Sequence, residues 1–370
     1  MLLLARKNLF SERTRLVISV GGVALAVFLI SLLLSLYRGW DEKVGGFVEN
    51  SGVDIWVARE GTIDFLSASS ILPLEGSDRF DNFEQTIEQW SPLIVRPMVV
   101  EKGSRKMDVS FIGFMAETRL GGPIKVEKGK DTPGPGEVIV DKAMTKRYGL
   151  HIGDTIMAAG NPLEIVGISS GGDFIATQTV FVLYEEAERI LELSGYTTFF
   201  VLDLRYPSER DKLADSLEQE EEGILAIPTD EFADSTRSRI LGSVLPILSV
   251  ILILAFIVGL AVAGLTIYTA TVEKSREYGI LKAVGFANRY LYRVVFEQSL
   301  VTGLLGFIVG VGLTLVVGPF ASDLVPQFVL LTKWQDIIGV ALITLIMACI
   351  AAYIPVRRLA GIDPVVVFKA

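Results

Sequence analysis

The sequence has very few of the residues that build catalytic and metal sites. Its 370 residues include one histidine and one cysteine. A single histidine excludes any site with several histidine ligands, and a single cysteine excludes an intrachain disulfide. No G-x-x-x-x-G-K-[ST] segment occurs in the chain, so it lacks the loop that binds ATP phosphates in P-loop enzymes. We therefore expect a non-catalytic chain with no metal and no cofactor of its own.

Positive charge is also scarce in the chain as a whole. The 34 lysine and arginine residues are outnumbered by 43 aspartate and glutamate residues, for a formal net charge of −9 at pH 7. Nucleic-acid binding needs a clustered basic face, so this balance argues against nucleic acid as a partner. Hydrophobic residues, by contrast, make up 51% of the sequence, and the mean hydropathy is +0.49. These values predict several membrane spans together with one sizeable soluble part.

Four apolar runs are long enough to cross a membrane, which requires roughly 20 residues. In order, they occupy residues 16–36, 240–272, 299–322 and 337–356. Backbone N–H and C=O groups find no water in lipid, so each run has to satisfy them within its own segment. The sequence therefore predicts a membrane α-helical protein with four transmembrane helices.

Basic residues are concentrated in the short segments beside these runs. The segments before the first run, between the second and third runs, and after the fourth run hold twelve basic and five acidic residues. The long segment between the first and second runs holds 21 basic and 36 acidic residues. Short segments rich in lysine and arginine remain in the cytoplasm. We therefore expect both termini in the cytoplasm and the long segment outside.

The long segment predicts a folded α/β domain. Alternating apolar residues indicate a strand at residues 54–60, and apolar residues at helical spacing indicate a helix at residues 83–90. The order strand, helix, strand is predicted again over residues 198–229. Short strands and glycine-containing turns fill the region between them. We therefore expect two halves that each contain a β-α-β unit, plus a β-rich insert.

The helical pattern of the second run begins well before its uncharged part. From Asp230 the pattern remains helical as far as Val272. At 1.5 Å per residue such a helix is about 60 Å long, about twice the thickness of the hydrocarbon core. We expect its first part to form a stalk that joins the outer domain to the second transmembrane helix.

A polar segment, TVEKSREYGILKAVGFANRYLYR, separates the second run from the third. It predicts a short helix that ends before Gly285 and carries Tyr278, Leu281 and Val284 on one apolar face. A helix of this length is not stable alone in water, so it has to dock. Two docking surfaces are compatible with the pattern: the membrane interface and a groove on a cytoplasmic protein.

Two motifs resemble the MacB/FtsX/LolC-type ABC transporter permeases. VEKSREYGILKAVG (residues 272–285) is similar to the family's segment between the second and third spans, and PVRRLAGIDPV (355–365) is similar to its closing motif. Lys274 and Tyr278 depart from the commonest arginine and isoleucine of the family. The resemblance implies that the first motif is a coupling helix, seated in a groove of a separate ATPase subunit that binds ATP and Mg. The implied ATPase-coupling residues are Glu273, Arg276, Glu277, Tyr278, Gly279, Ile280, Leu281, Lys282, Ala283, Val284 and Gly285.

The resemblance also implies a function, partners and a location. ATP hydrolysis by the partner would change the conformation of the outer domain, for export or extraction of an amphipathic or hydrophobic substrate. The alternative is an FtsX-like signalling subunit that activates an extracellular partner, such as a cell-wall hydrolase, without transport. The implied partners are a cytoplasmic ABC ATPase, a second permease copy (homodimer) or a similar permease, membrane lipid and, as a further candidate, an extracytoplasmic adaptor. The implied location is a bacterial or archaeal cell (inner) membrane.

Glycines in the third run predict a close approach between helices. Gly303, Gly306 and Gly310 are candidate packing residues because small side chains let helices approach closely in lipid, either within the chain or at a dimer seam. The predicted division of the chain is a lead-in (1–15), span 1 (16–37), the outer domain (38–230), a stalk with span 2 (231–272), the coupling segment (273–288), span 3 (289–322), an outer loop (323–336), span 4 (337–356) and a cytoplasmic C-terminus (357–370).

Overall fold

The computed structural model describes residues 13–66, 70–75, 80, 82–175, 177–325 and 328–360. Residues 1–12 of the predicted lead-in and 361–370 of the predicted C-terminal segment lie outside the described residues. The chain divides into two compact units, one formed by Met1–Gly39 with Leu245–Ala370 and the other by Trp40–Val244. We refer to them as the helical unit and the α/β unit.

The helices and strands of the described residues follow one another in a fixed order. They are α1 (Arg13–Glu49), β1 (Ile55–Arg59), β2 (Leu72–Pro73), β3 (Ile87–Lys102), β4 (Arg105–Phe114), β5 (Lys125–Gly129), β6 (Glu137–Asp141), α2 (Lys142–Tyr148), β7 (Thr155–Ala158), β8 (Asn161–Ser170), β9 (Gln178–Leu183), α3 (Tyr184–Ile190), β10 (Tyr196–Thr197), β11 (Phe199–Leu204), α4 (Arg210–Glu220), β12 (Ile224–Pro228), α5 (Thr229–Glu273), α6 (Ser275–Ala283), α7 (Asn288–Leu324) and α8 (Trp334–Ala360).

Four helices in the described part of the chain, α1, α5, α7 and α8, are long and apolar enough to cross a membrane. Within the helical unit they share one core, which includes Val27 of α1, Val295 of α7 and Met347 of α8. The Ser299 hydroxyl of α7 donates to the Ala348 carbonyl of α8 at 2.6 Å. Hydrogen bonds of this kind hold helices together where lipid supplies no hydrophobic driving force between them.

One half of the α/β unit is an antiparallel sheet in the order β12-β1-β11-β3. β11 and β12 are both antiparallel to β1, and α4 connects them, so they form a β-α-β unit with β1 inserted between its strands. In this register Trp56 lies opposite Val201 on one side and Ile227 on the other. The strand order is that of the ferredoxin-like fold, in which two β-x-β units interleave.

Residues 87–90 belong to β3, so the prediction of a helix at residues 83–90 is wrong. In the described part of the connection from β1 to β3 there are turns, a short 3-10 segment and the strand β2, and no α-helix. Ile87 and Trp90 pack on the sheet, where the Trp90 ring lies 5.9 Å from the ring of Phe200. The pairing of β3 with β11 and β4 outweighs the helical spacing of a few apolar residues.

The other half of the α/β unit is a ring of six strands. The pairs β3–β4, β4–β9, β9–β6, β6–β8, β8–β7 and β7–β3 close on themselves. One hydrophobic cluster contains buried residues from all six strands, including Val100, Val109, Val138, Ile156, Ile165 and Val180. Closure satisfies the strand edges that an open sheet would expose. The predicted β-rich insert forms most of this ring.

The end of α1 and the start of α5 lie in one aromatic core of the α/β unit. Phe47 from α1 and Phe232 from α5 are fully buried in the cluster that contains Trp56. The Trp56 ring lies 5.4 Å from that of Phe232, and the Phe47 ring lies 5.2 Å from that of Phe65. The Trp56 indole N–H also donates to the hydroxyl of Thr229, the first residue of α5, at 3.1 Å. Buried aromatic pairs at these distances fix the ends of both helices in the sheet.

Arg237 of α5 joins these two helices to each other within the α/β unit. Its guanidinium donates to the Asp41 carbonyl at 3.1 Å and pairs with the Glu49 carboxylate at 2.7 Å, and both acceptors belong to α1. Gly45 makes this contact possible, because a Cβ there would lie 2.3 Å from Cζ of Arg237. A movement of either helix in this region therefore acts on the other.

A buried carboxylate lies where β6 meets α2. Asp141 is 2% exposed; it accepts from the Ala143 N–H at 2.7 Å, which caps α2, and from the Gly172 N–H at 3.2 Å. The nearby Asp173 forms an ion pair with Lys43. Burial raises the pKa of Asp141 to about 6, and the negative charge of Asp173 adds to this rise.

We expect mild acidification to stabilise the α/β unit through Asp141. Because its pKa lies above the usual 3.8, the folded protein binds this proton more tightly than the unfolded chain does. The contribution of this group to the free energy of unfolding therefore falls by about 3 kcal/mol as the pH rises from about 4 to about 6. Asp141→Asn keeps an acceptor for the cap but does not titrate, so it should lack this slope. Thermal unfolding of the full-length protein in detergent, followed by tryptophan fluorescence, measures the difference.

Glu137 provides a control of opposite sign. The hydrogen bond from Lys130 lowers the pKa of Glu137, so its contribution to stability is lost as the pH falls. Compared with wild type, acidification should therefore change the free energy of unfolding of Glu137→Gln in the stabilising direction. It should change that of Asp141→Asn in the destabilising direction. Identical pH profiles for wild type and Asp141→Asn would contradict the role given to Asp141.

Candidate functional site

Helix α6 is separated from α5 by one residue and ends at a glycine. Lys274, with φ −87° and ψ 8°, interrupts the helix between α5 and α6. At the other end Gly285 has φ +101°, a conformation that glycine adopts without strain. The Gly285 N–H donates to the Lys282 carbonyl and the Phe286 N–H donates to the Leu281 carbonyl, each at 3.0 Å. These two bonds form a Schellman motif, which defines where α6 ends.

The inner face of α6 belongs to the core of the helical unit. Tyr278 is 4% exposed and lies in the same hydrophobic cluster as Leu291 and Val295. Gly279 is buried and Leu281 is half-buried. Burial also raises the pKa of Tyr278 to about 12, so its hydroxyl stays protonated at neutral pH. The packing of Tyr278 supplies the support that a nine-residue helix needs.

The outer face of α6 carries both apolar and charged side chains. Ile280 is 44% exposed, Val284 is 73% exposed, and Phe286, just beyond the helix, is 42% exposed. Arg276 and Glu277, one turn before Ile280, are exposed as well. We call these five residues the exposed patch. Large apolar side chains grouped at a surface indicate contact with another protein or with lipid.

The apolar face that the sequence predicts is thus divided between two surfaces. Tyr278 and Leu281 pack inward, and only Val284 of the three is exposed. Phe286 is absent from the residues predicted from the sequence. Its position directly after the helix-ending glycine is the signal for it, because an apolar residue commonly accompanies a Schellman motif there.

The other predicted coupling residues lie at the ends of α6. Ala283 and Gly285 are exposed, and Lys282 is half-buried. Glu273, the last residue of α5, pairs with Arg15 of α1 at 2.6 Å. In the part of the chain that the structure describes, no group of three or more His, Cys, Asp or Glu side chains is placed to bind a metal ion.

The three predicted packing glycines lie against other helices of the same chain. A Cβ at Gly303 would lie 3.1 Å from the Cβ of Ala348 in α8. A Cβ at Gly306 would lie 2.5 Å from Cγ1 of Val23 in α1. Gly310 faces α1 as well, one turn further along α7. These contacts bring α7 close to α1 and α8 within the helical unit.

Two family models together match most of the chain. The MacB-like periplasmic core domain matches residues 16–220, and the FtsX-like permease C-terminal domain matches residues 246–364. The chain belongs to the MacB/FtsX-type family of ABC transporter permeases. It is a multi-pass membrane protein with four transmembrane helices and a large α/β domain between the first two.

Several curated relatives are similar over much of the chain. An uncharacterised ABC transporter permease of Mycobacterium tuberculosis (strain H37Rv) is 24% identical over 100% of this chain and 99% of the relative. The macrolide export ATP-binding/permease protein MacB of Pectobacterium atrosepticum is 21% identical over 96% of this chain and 58% of MacB. The putative hemin transport system permease protein HrtB of Staphylococcus haemolyticus is 21% identical over 65% of this chain and 66% of HrtB. A permease of this type implies a partner ATPase.

Solved structures of two extracytoplasmic domains are also similar to the chain. The periplasmic region of MacB from Actinobacillus actinomycetemcomitans is 12% identical with a TM-score of 0.39, over 50% of this chain and 94% of that one. The extracellular domain of YknZ, a noncanonical ABC-type transporter from Gram-positive bacteria, is 12% identical with a TM-score of 0.36. That match covers 47% of this chain and 99% of the YknZ domain.

Proposed function

We propose that this permease couples ATP hydrolysis by a separate ATPase subunit to a conformational change of its α/β unit, for export or extraction of an amphipathic or hydrophobic substrate. The observation that supports this function is the division of α6 into two faces. Tyr278 anchors the helix to its own chain, while Ile280 and Val284 face outward. A helix held in this way transmits a displacement that a partner imposes on its exposed side.

A protein groove suits the exposed patch better than lipid alone. The patch combines apolar Ile280, Val284 and Phe286 with Arg276 and Glu277, which carry opposite charges. An exposed glutamate is repelled by anionic lipid headgroups, whereas a protein groove can offer a partner for each charge. We therefore take the occupant of this surface to be the cytoplasmic ATPase, which binds the ATP and Mg.

The proposed orientation follows the distribution of basic residues. The segment that contains α6 is rich in lysine and arginine, so α6 and both termini would face the cytoplasm and the α/β unit would lie outside. Two permease copies, or this permease and a similar one, would complete the membrane part of the complex. The proposed location is a bacterial or archaeal cell (inner) membrane.

Helix α5 provides the proposed route for the movement. It is a single α-helix that begins at Thr229, continues through Pro246 and ends at Glu273, with only Lys274 between it and α6. Near that start Phe232 lies in the aromatic core and Arg237 is bonded to α1. A displacement of α6 would therefore pass along backbone hydrogen bonds to a point where two helices are fixed to the sheet.

The proposed substrate class is supported by the names of two relatives. MacB is named for macrolide export and HrtB for putative hemin transport. Macrolides and hemin are both large molecules with extended apolar parts and a few polar groups. We propose a substrate of this general chemistry, handled on the outer side of the membrane.

Placing a charge on the exposed patch is the most direct test of this function. Val284→Glu, in the permease co-expressed with its ATPase, is expected to reduce co-purification of the ATPase about tenfold or more, because an unpaired carboxylate would be buried in the contact. Val99→Glu is the matched control, since it makes the same exchange at an exposed valine of the α/β unit, which is 45% exposed. Quantitative co-purification from detergent measures the association of both variants.

Turnover by the complex separates transport from signalling. In a reconstituted complex, ATPase stimulation by amphipathic small molecules supports transport. Stimulation by an extracellular protein alone would contradict transport and favour the signalling alternative. Wild-type association and wild-type stimulated turnover in Val284→Glu would show that the exposed patch is not the ATPase contact.

A further inference from the structure

A polar pocket lies behind α6, within the helical unit. Its walls come from α1, α5, α6, α7 and the single residue that links α5 to α6. The polar residues that line it include Arg15, Ser19, Lys274, Tyr278, Gln298 and Thr302. Few polar side chains are placed in membrane-spanning helices without a function, so this group requires an explanation.

The pocket combines positive charge with hydrogen-bond donors. Arg15 and Lys274 contribute two cationic side chains, and Arg15 also forms an ion pair with Glu273 of α5. Gln298 is 7% exposed and Thr302 is 2% exposed, so their amide and hydroxyl groups require hydrogen-bond partners in a region with little water. Cations together with N–H and O–H donors are the groups that bind phosphate oxygens.

Part of the pocket wall is apolar. Leu16 of α1 and Ile267 and Ala270 of α5 line it beside the polar groups. An acyl chain lying on these side chains would be continuous with a headgroup in the pocket. A free phosphate ion would gain nothing from this apolar surface.

We propose that the pocket binds the phosphate of an anionic phospholipid headgroup. Arg15 and Lys274 would neutralise its charge, while Gln298 and Thr302 would donate hydrogen bonds to its oxygens. Basic pockets between transmembrane helices on the cytoplasmic side of a membrane bind such headgroups. An occupied pocket would also hold Lys274, which precedes α6, in a fixed position. The importance of this position for the movement of α6 rests on the proposed function, whereas lipid binding does not.

Native mass spectrometry of the full-length permease in non-ionic detergent tests this proposal. Dioleoylphosphatidylglycerol should bind more tightly than dioleoylphosphatidylcholine, which carries the same phosphate but also a choline cation that the pocket would repel. Lys274→Gln and Gln298→Leu should each weaken phosphatidylglycerol binding about tenfold. Arg289→Gln removes the same charge from an exposed position at the start of α7 and should leave that binding unchanged.

Three outcomes would overturn the proposal. The first is unchanged phosphatidylglycerol affinity in both pocket variants, and the second is equal affinity for the two lipids. The third is inorganic phosphate that binds as tightly as phosphatidylglycerol, which would remove the lipid assignment. Val284→Glu alters only the exposed patch. Its effect on ATPase association is therefore independent of lipid binding in the pocket. The two proposals therefore fail separately.

Discussion

Replacing Gly310 with leucine is expected to destabilise the helical unit by about 3 kcal/mol or more, because the added side chain has no space. A Cβ at this position would lie 2.7 Å from the carbonyl oxygen of Ala24 and 2.7 Å from the Cβ of Val27. The flexible end of a side chain can move away from such a contact, but a helix backbone cannot. Helices α1 and α7 would have to separate, with loss of the close packing that stabilises helix pairs in lipid.

Gly312 offers a matched control on the same helix. A Cβ at Gly312 meets no atom within 4 Å, so Gly312→Leu adds the same side chain to open space. Thermal unfolding in detergent, followed by the loss of helical circular dichroism, should show a much lower midpoint for Gly310→Leu than for Gly312→Leu. Equal midpoints would mean that α1 and α7 do not pack closely at Gly310.

Removing the Tyr278 ring is expected to uncouple the ATPase from the permease. Tyr278 is 4% exposed in the core of the helical unit, and loss of a buried aromatic side chain destabilises its packing by about 3 to 5 kcal/mol. In Tyr278→Ala the exposed patch remains, so the ATPase should still associate through Val284 and its neighbours. The anchor is lost, however, and substrate-stimulated ATP hydrolysis should fall at least about tenfold.

Tyr353→Ala is the control for this second prediction, because it removes the same side chain from an exposed position of α8, where Tyr353 is 58% exposed. Stimulated turnover and co-purification have to be measured on the same preparations. Full coupling in Tyr278→Ala would show that the anchor is not needed. Loss of association as complete as in Val284→Glu would contradict the division of α6 into an anchoring face and a docking face.

The two units differ in how far the sequence predicts them. The membrane spans follow from the lengths of the apolar runs, because lipid leaves the backbone few ways to satisfy its hydrogen bonds. The α/β unit is less predictable, as residues 83–90 illustrate. Three apolar residues at helical spacing also suit a strand that packs aromatic and β-branched side chains on a sheet, and Trp90 and Ile87 do so in β3. Local spacing alone cannot distinguish these outcomes, since the partner strand β11 lies more than 100 residues away in the chain.

The same limit applies to the candidate site. The motif at residues 272–285 marks the predicted coupling segment, and Gly285 marks the end of its helix. Which side of that helix faces the chain's own core depends on Leu291 and Val295, which belong to a different helix. The sequence therefore groups Tyr278 with Val284, whereas packing places the two on opposite surfaces.

The four spans, the family resemblance and the position of the short helix can be predicted from the sequence alone, because run length, charge and glycine placement are local properties of a chain. What these elements contact depends on tertiary packing. Packing closes the six-stranded ring, joins α1 to α5 through Arg237 beside Gly45, and buries Tyr278 while Val284 stays exposed. Each of these contacts joins side chains that are far apart in the chain, so no local sequence pattern predicts it.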